Sequence, residues 1–146
     1  MSVDAKIRRL IHYRCSGYCE KCGWPLGDNW AAHHRKLRKH GGPDTASNLL
    51  AVCHQCHNLG TDSIHLNPDF SYSLGYLVES WNHPKLVALA LPDGTKRWLS
   101  DEGTYLDAEP KLPIHCGDCN YFHETETEHK ACVRYWKVKA DVESDY

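Results

Sequence analysis

The chain has 146 residues, with 17 Lys and Arg against 19 Asp and Glu, for a formal net charge of −2. That length suits one domain, or a small core with an appendage, and no apolar run approaches the roughly 20 residues needed to cross a bilayer. The opening Met-Ser-Val-Asp-Ala-Lys has no apolar stretch of the secretory type, so the eight cysteines are expected to bind metal in a reducing cytoplasm.

Charge is unevenly spread. Residues 1–40 hold nine Lys and Arg against three acids, 41–100 three against five, and 101–146 five against eleven. A basic front and an acidic rear suggest one surface that meets a polyanion and another that avoids it.

In chain order, residues 3–14 set Val3, Ile7, Leu10 and Ile11 at helical spacing, with Ser2 as the expected N-cap. Cys19 and Cys22 follow, three apart, and Cys53 and Cys56 repeat that spacing with 30 residues between the pairs. Two such pairs fit a tetrahedral four-sulfur zinc site, structural because the protein fills every position. Between the pairs the pattern predicts a turn at 24–29, a strand over 30–36, a loop at 41–44 and a run over 46–52 leading to the second pair. Beyond His57 a helical or irregular passage reaches His65, and Asn67-Pro68 reads as a stop or turn. Residues 86–91 and 96–99, around Pro92-Asp93-Gly94-Thr95, read as a β-hairpin, and residues 101–105 as a turn into another short strand. In the tail, Cys116, Cys119 and Cys132 form a candidate second zinc site with His129, or with His123 in its place. Cys15 is left over and is expected in the core.

The densest chemistry lies in residues 32–57. Phosphodiester hydrolysis needs an activated water, charge stabilisation on the phosphate and help for the leaving oxygen. A divalent ion and a neutral imidazole can supply these, and histidine is mostly neutral near pH 7. The adjacent His33 and His34, with His57 just after a Cys-x-x-Cys pair, look like a base and its metal ligands.

Here the sequence resembles the HNH endonucleases, which have the ββα-metal (His-Me finger) fold. It is most similar to the small zinc-stapled members of actinobacteria and their phages. The resemblance runs through Cys19-x-x-Cys22-Gly23, His33-His34-Arg35, Gly41-Gly42, Asn48-Leu49-Leu50, Cys53-x-x-Cys56-His57 and Ile64-His65-x-Asn67-Pro68. It implies that His34 is the general base and that Asn48 is the middle residue that holds the loop together and helps orient the base. It further implies His33, His57 and His65 as ligands of the catalytic ion. In these relatives the last two histidines stand four apart, whereas here they are eight apart, a rise of about 12 Å on a continuous helix. The chain is therefore expected to break or bulge at residues 60–63, or Asp62 substitutes for His65. Neighbouring strand residues face opposite sides, so His33 and His34 share a site only if the strand twists or bends.

The expected architecture is α+β: a zinc-stapled ββα-metal nuclease core over 1–68, a short β-rich extension over 69–109 and a zinc-binding acidic tail over 110–146. The expected function is a metal-dependent DNA endonuclease that nicks one strand per site, with a dimer or a phage packaging partner as possible company. Its cofactors are one or two structural zinc ions and one catalytic Zn, Ni, Co, Mn or Mg. An imidazole-rich shell favours the transition metals over magnesium. Arg35, Lys36, Arg38 and Lys39 lie in a run, 29–43, that no acid interrupts, and are expected to meet DNA phosphates with little sequence specificity. The alternative is a catalytically inactive zinc module that binds nucleic acid or protein.

Overall fold

Helix α1 (Ala5–Arg14) starts at Asp4 rather than at Ser2, because the Asp4 carboxylate accepts from the Lys6 amide at 2.7 Å. The computed structural model describes residues 2–111, 114–115 and 122–123, in two compact units, Met1–Pro110 and Lys111–Tyr146. The buried face of α1 presents Ile11 to the core, with Val3 and Ile7 packed beside it. Cys15, just past the helix, also packs there, and burial raises its thiol pKa to about 11.

The same helix delivers Arg14 into the interior. Its guanidinium donates to both Glu20 oxygens and to the carbonyls of Ala46 and Leu49, while Glu20 also accepts from the Ala51 amide and the Tyr105 hydroxyl. A buried ion pair is costly to desolvate and is tolerated when its remaining donors and acceptors are also satisfied. Here those partners come from both sides of the first cysteine pair, so the network ties α1 to the strands behind the site.

Strands β1 (Ala31–His34) and β2 (Leu49–Val52) pair antiparallel, with His33 opposite Leu50 and His34 opposite Leu49. Every residue of β2 is buried, as its unbroken apolar run demands. The expected strand over 30–36 contracts to four residues, and a 3₁₀ turn (Ala46–Asn48) replaces the start of the expected 46–52 run. After β2 the chain makes a short π-helical turn (Gln55–Leu59) that stops at Gly60.

Asn67-Pro68 opens a helix instead of ending one. Helix α2 (Pro68–Leu74) has Pro68 in its first turn, where the missing N–H takes no part in the helix ladder. The Asn67 amide points backwards, donating to the carbonyls of Thr61 and Ser63. Gly75 ends α2 in the left-handed conformation, φ 81°, and a Cβ there would collide with the Ala88 carbonyl.

Strands β3 (Leu89–Ala90), β4 (Lys96–Leu99) and β5 (Tyr105–Leu106) form a second antiparallel sheet. The hairpin is shorter than the 86–91 pattern suggests, since Pro84–Leu86 is a 3₁₀ turn. In the second unit, β6 (Ile114–His115) pairs antiparallel with β7 (Phe122–His123). Cys116, Cys119, His129 and Cys132 lie outside the described residues, as does the side chain of His123. The class is mixed α and β, and no helix among the described residues is long and apolar enough to cross a membrane.

Candidate functional site

The four cysteines of the two pairs converge. Their sulfurs all lie within 4.8 Å of one another, and Cys22 Sγ is 3.9 Å from Cys53 Sγ. Zinc–sulfur bonds of about 2.3 Å in a tetrahedron space the sulfurs about 3.8 Å apart, so the donor set and its geometry fit zinc. The backbone amides of Cys22 and Cys53 both donate to Cys19 Sγ, at 3.5 and 3.4 Å. Burial, and then the proximity of Cys19, push the Cys56 thiol up, so several thiolates crowd together favourably only around a cation. The cluster joins the turn after α1 to the end of β2 and fixes where the following turn begins.

That turn carries His57. Ile64 N donates to Cys56 O at 2.8 Å and His65 N to His57 O at 3.3 Å, so the chain folds back on itself after Gly60. The break brings His65 Nε2 to 3.1 Å from His57 Nε2, and His33, His57 and His65 all offer nitrogens within 4.8 Å of one another. Metal–nitrogen bonds of 2.0–2.1 Å separate tetrahedral donors by about 3.3 Å. Asp62 is exposed and stands outside this cluster.

The orientation of His33 follows from one contact. Its Nε2 lies 2.7 Å from the Tyr76 carbonyl, which can only accept, so Nε2 carries the proton and Nδ1 keeps its lone pair. Burial lowers the pKa of His33 to about 3 and that of His57 to about 4, and burial also lowers that of His65. All three are neutral near pH 7, the form that ligates a metal. Burial falls across the trio, from buried His33 through half-buried His57 to exposed His65, so one side opens to solvent.

His34 stands apart from these rings. His33 and Arg35 are buried on the inner side and His34 between them is partly exposed, yet near enough that its charge works to lower the pKa of His33. His34 Nε2 lies 2.6 Å from Asp44 Oδ1. A carboxylate only accepts, so this shorter contact assigns the proton to Nε2 and leaves the lone pair on Nδ1, while Arg38 Nε also approaches Nε2 at 3.3 Å. The contact with His34, followed by the charge of Arg38, holds the Asp44 carboxyl below its usual range.

Asn48 is fully buried and braces the loop between these two residues. Its side chain accepts from the Lys36 amide at 2.8 Å and donates to the carbonyls of Lys36 and Pro43, each at 3.0 Å. Gly42 closes the same loop so tightly that a Cβ would overlap the Lys36 carbonyl.

Residues 19–63 match the family model of the HNH endonuclease. The matched segment is similar to an HNH endonuclease domain. It spans both cysteine pairs, β1, β2 and the π-helical turn. Searches of curated proteins and of solved structures found no match to the chain.

Within the matched segment, the basic run divides. Arg38 and Lys39 are exposed, and Lys36 is half-buried with its ammonium 3.2 Å from the Asn82 carbonyl. Arg35 corrects the expectation of a phosphate contact: it is fully buried and donates to the carbonyls of Ser47, Gly75, Pro84 and Val87. Its position two residues after His33 sends it to the same inner face.

Two partners escaped the sequence reading. Asp44 had a signal, as the first acid after the acid-free run over 29–43. The Tyr76 carbonyl had none, because a backbone acceptor leaves no mark in residue type.

Proposed function

We propose that the chain is a metal-dependent DNA endonuclease in which His34 takes the proton from the attacking water. The reading rests on one observation above all. Strand β1 carries His33, one member of a three-imidazole cluster, next to the separately held His34, and both lie inside the segment that matches the HNH family model.

His33, His57 and His65 would hold one divalent ion, with Zn, Ni, Co, Mn and Mg as the candidates. Such an ion, when bound, stabilises negative charge on the phosphate and on the leaving oxygen. His34 accepts the water proton on Nδ1 as the water oxygen bonds to phosphorus and the bond to the leaving oxygen breaks. Asp44, bonded to Nε2–H, fixes the tautomer and favours the imidazolium that forms. Asn48 positions the loop that carries both groups. Arg38, Lys39 and Lys36 supply charge to the flanking phosphates. One site of this kind cuts one strand per engagement.

The four-cysteine cluster acts as the structural zinc site. Residues 1–68 make the nuclease core, and residues 69–109 act as its buttress, receiving the Arg35 guanidinium through three of their carbonyls. The tail over 110–146 is read as a separate zinc-binding appendage. A reducing cytoplasm suits both sets of thiols.

The rival reading, an inactive zinc module, drew its support from the eight-residue separation of His57 and His65. That support falls away once their nitrogens are 3.1 Å apart. The direct test is relaxation of supercoiled plasmid by the full chain with each of the five metals in turn. Nicked circles with at least one metal support the proposal. Intact plasmid with all five would overturn it.

A further inference from the structure

Helix α1 presents a surface that the metal centre does not use. Arg8, Arg9 and His12 fall one, three and four residues apart, on one stripe of the helix. Opposite the stripe, Asp28 and Trp30 complete a groove of about 630 Å³, with Tyr13 at its edge.

The groove has a rigid platform. The Arg8 guanidinium lies 4.0 Å from the centroid of the Trp30 ring and donates to the Trp30 carbonyl at 3.1 Å. The His12 ring packs against the same indole at 5.6 Å between centroids. Arg9 and Tyr13 remain outward, Tyr13 with 85% of its surface exposed. Arg9 makes no hydrogen bond or ion pair among the described residues. Two guanidinium groups and an imidazole therefore face a groove lined by a single acid, Asp28.

That combination suits a phosphate chain. A free guanidinium forms paired hydrogen bonds to phosphate oxygens, and an exposed tyrosine offers a flat ring to sugar and a hydroxyl to phosphate. The need for such a surface is sharpened by Arg35, which burial removes from the charge available to substrate. Trp30 also immediately precedes β1. From Trp30 to His34 is four residues, or about 13 Å at about 3.3 Å each. Roughly four base-pair steps of about 3.4 Å cover that span.

We propose that the groove between α1 and Trp30 anchors the phosphate backbone of the DNA substrate, outside the catalytic centre. The proposal rests on the DNA-endonuclease reading, and its test reads binding rather than cutting. The full chain carrying His34→Ala, which leaves the probe intact, is titrated against a short fluorescein-labelled duplex at several salt concentrations. The same chain with Arg9→Ala and Tyr13→Ala added is the comparison. Both added changes are at exposed side chains, and unchanged far-UV circular dichroism establishes that the fold is kept.

The expected result is about tenfold weaker binding and a salt slope smaller by about 0.9, the value of one lost phosphate contact. Equal affinity and equal slope in the two chains overturn the proposal. So does failure of the parent to bind the duplex at any salt concentration. Plasmid relaxation by the wild-type chain, measured separately, reports on the nuclease reading itself, so the two can fail independently.

Discussion

His57 and His65 stand eight residues apart in the chain, yet their Nε2 atoms are 3.1 Å apart. The π-helical turn ends at Gly60, and the chain returns so that Ile64 and His65 bond back to Cys56 and His57. An uninterrupted helix would have separated the two rings by about 12 Å. The fold-back brings together histidines that belong to no shared helical face, within reach of a single ion. His57→Ala and His65→Ala should each weaken binding of an exchangeable divalent ion by more than about 100-fold, beyond the range typical of outer-shell partners. Calorimetric titration with manganese or cobalt reads this, and the zinc content of the cysteine cluster should stay unchanged. Wild-type affinity in His65→Ala would remove that residue from the shell.

Asn48 is predicted to act through the loop. Three hydrogen bonds to Lys36 and Pro43 depend on its side chain, at roughly 1 kcal/mol each. Asn48→Ala should lose about 2–3 kcal/mol of stability in urea unfolding and most of the cleavage rate. A variant as stable as wild type would show that the loop holds without it.

Arg35 and its exposed neighbours should separate cleanly. Arg35→Ala strips the donor from three buried carbonyls and one half-buried carbonyl and leaves a cavity, at a cost of at least about 3 kcal/mol. Arg38→Ala and Lys39→Ala should stay within about 0.5 kcal/mol of wild type while weakening DNA binding. Thermal melts and fluorescence titration distinguish the two groups. A stable Arg35→Ala chain with weakened DNA binding would restore Arg35 to the substrate surface.

These residues also show how far the sequence reaches. The mixed α and β class and the four-cysteine cluster were legible because ligand spacing and strand composition are short-range signals. The closing of the gap between His57 and His65 was legible only as a requirement, since nothing local says which way a chain turns after Gly60. Arg35 was misjudged by composition: a basic run looks solvated, while alternation from His33 sends its first member inward. Its partners lie 12 to 52 residues away and are all backbone carbonyls, which carry no residue code. Asn67-Pro68 misled for a different reason. Proline ends a helix from within and begins one at its first turn, and the residues after it decide between the two.

Asp101 sets an expectation for pH. Burial works to raise its carboxyl pKa, but the Lys85 ammonium at 2.7 Å and the Ser47 hydroxyl outweigh this and bring it below the usual value. A folded pKa below the unfolded one, about 3.9, gives stability that is present above that pH and lost as pH falls through the folded value. The melting temperature of wild type should therefore exceed that of Asp101→Asn near neutrality, and the difference should shrink below about pH 4. A difference independent of pH would mean that the carboxylate charge contributes nothing.

The most direct test of the central claim is plasmid cleavage by His34→Ala beside wild type, with zinc content measured on both. The account predicts nicked circles from wild type in an activating metal, none above background from His34→Ala, and the same zinc content in each. Cleavage by His34→Ala at the wild-type rate would contradict it, because the proton would then leave the attacking water without His34.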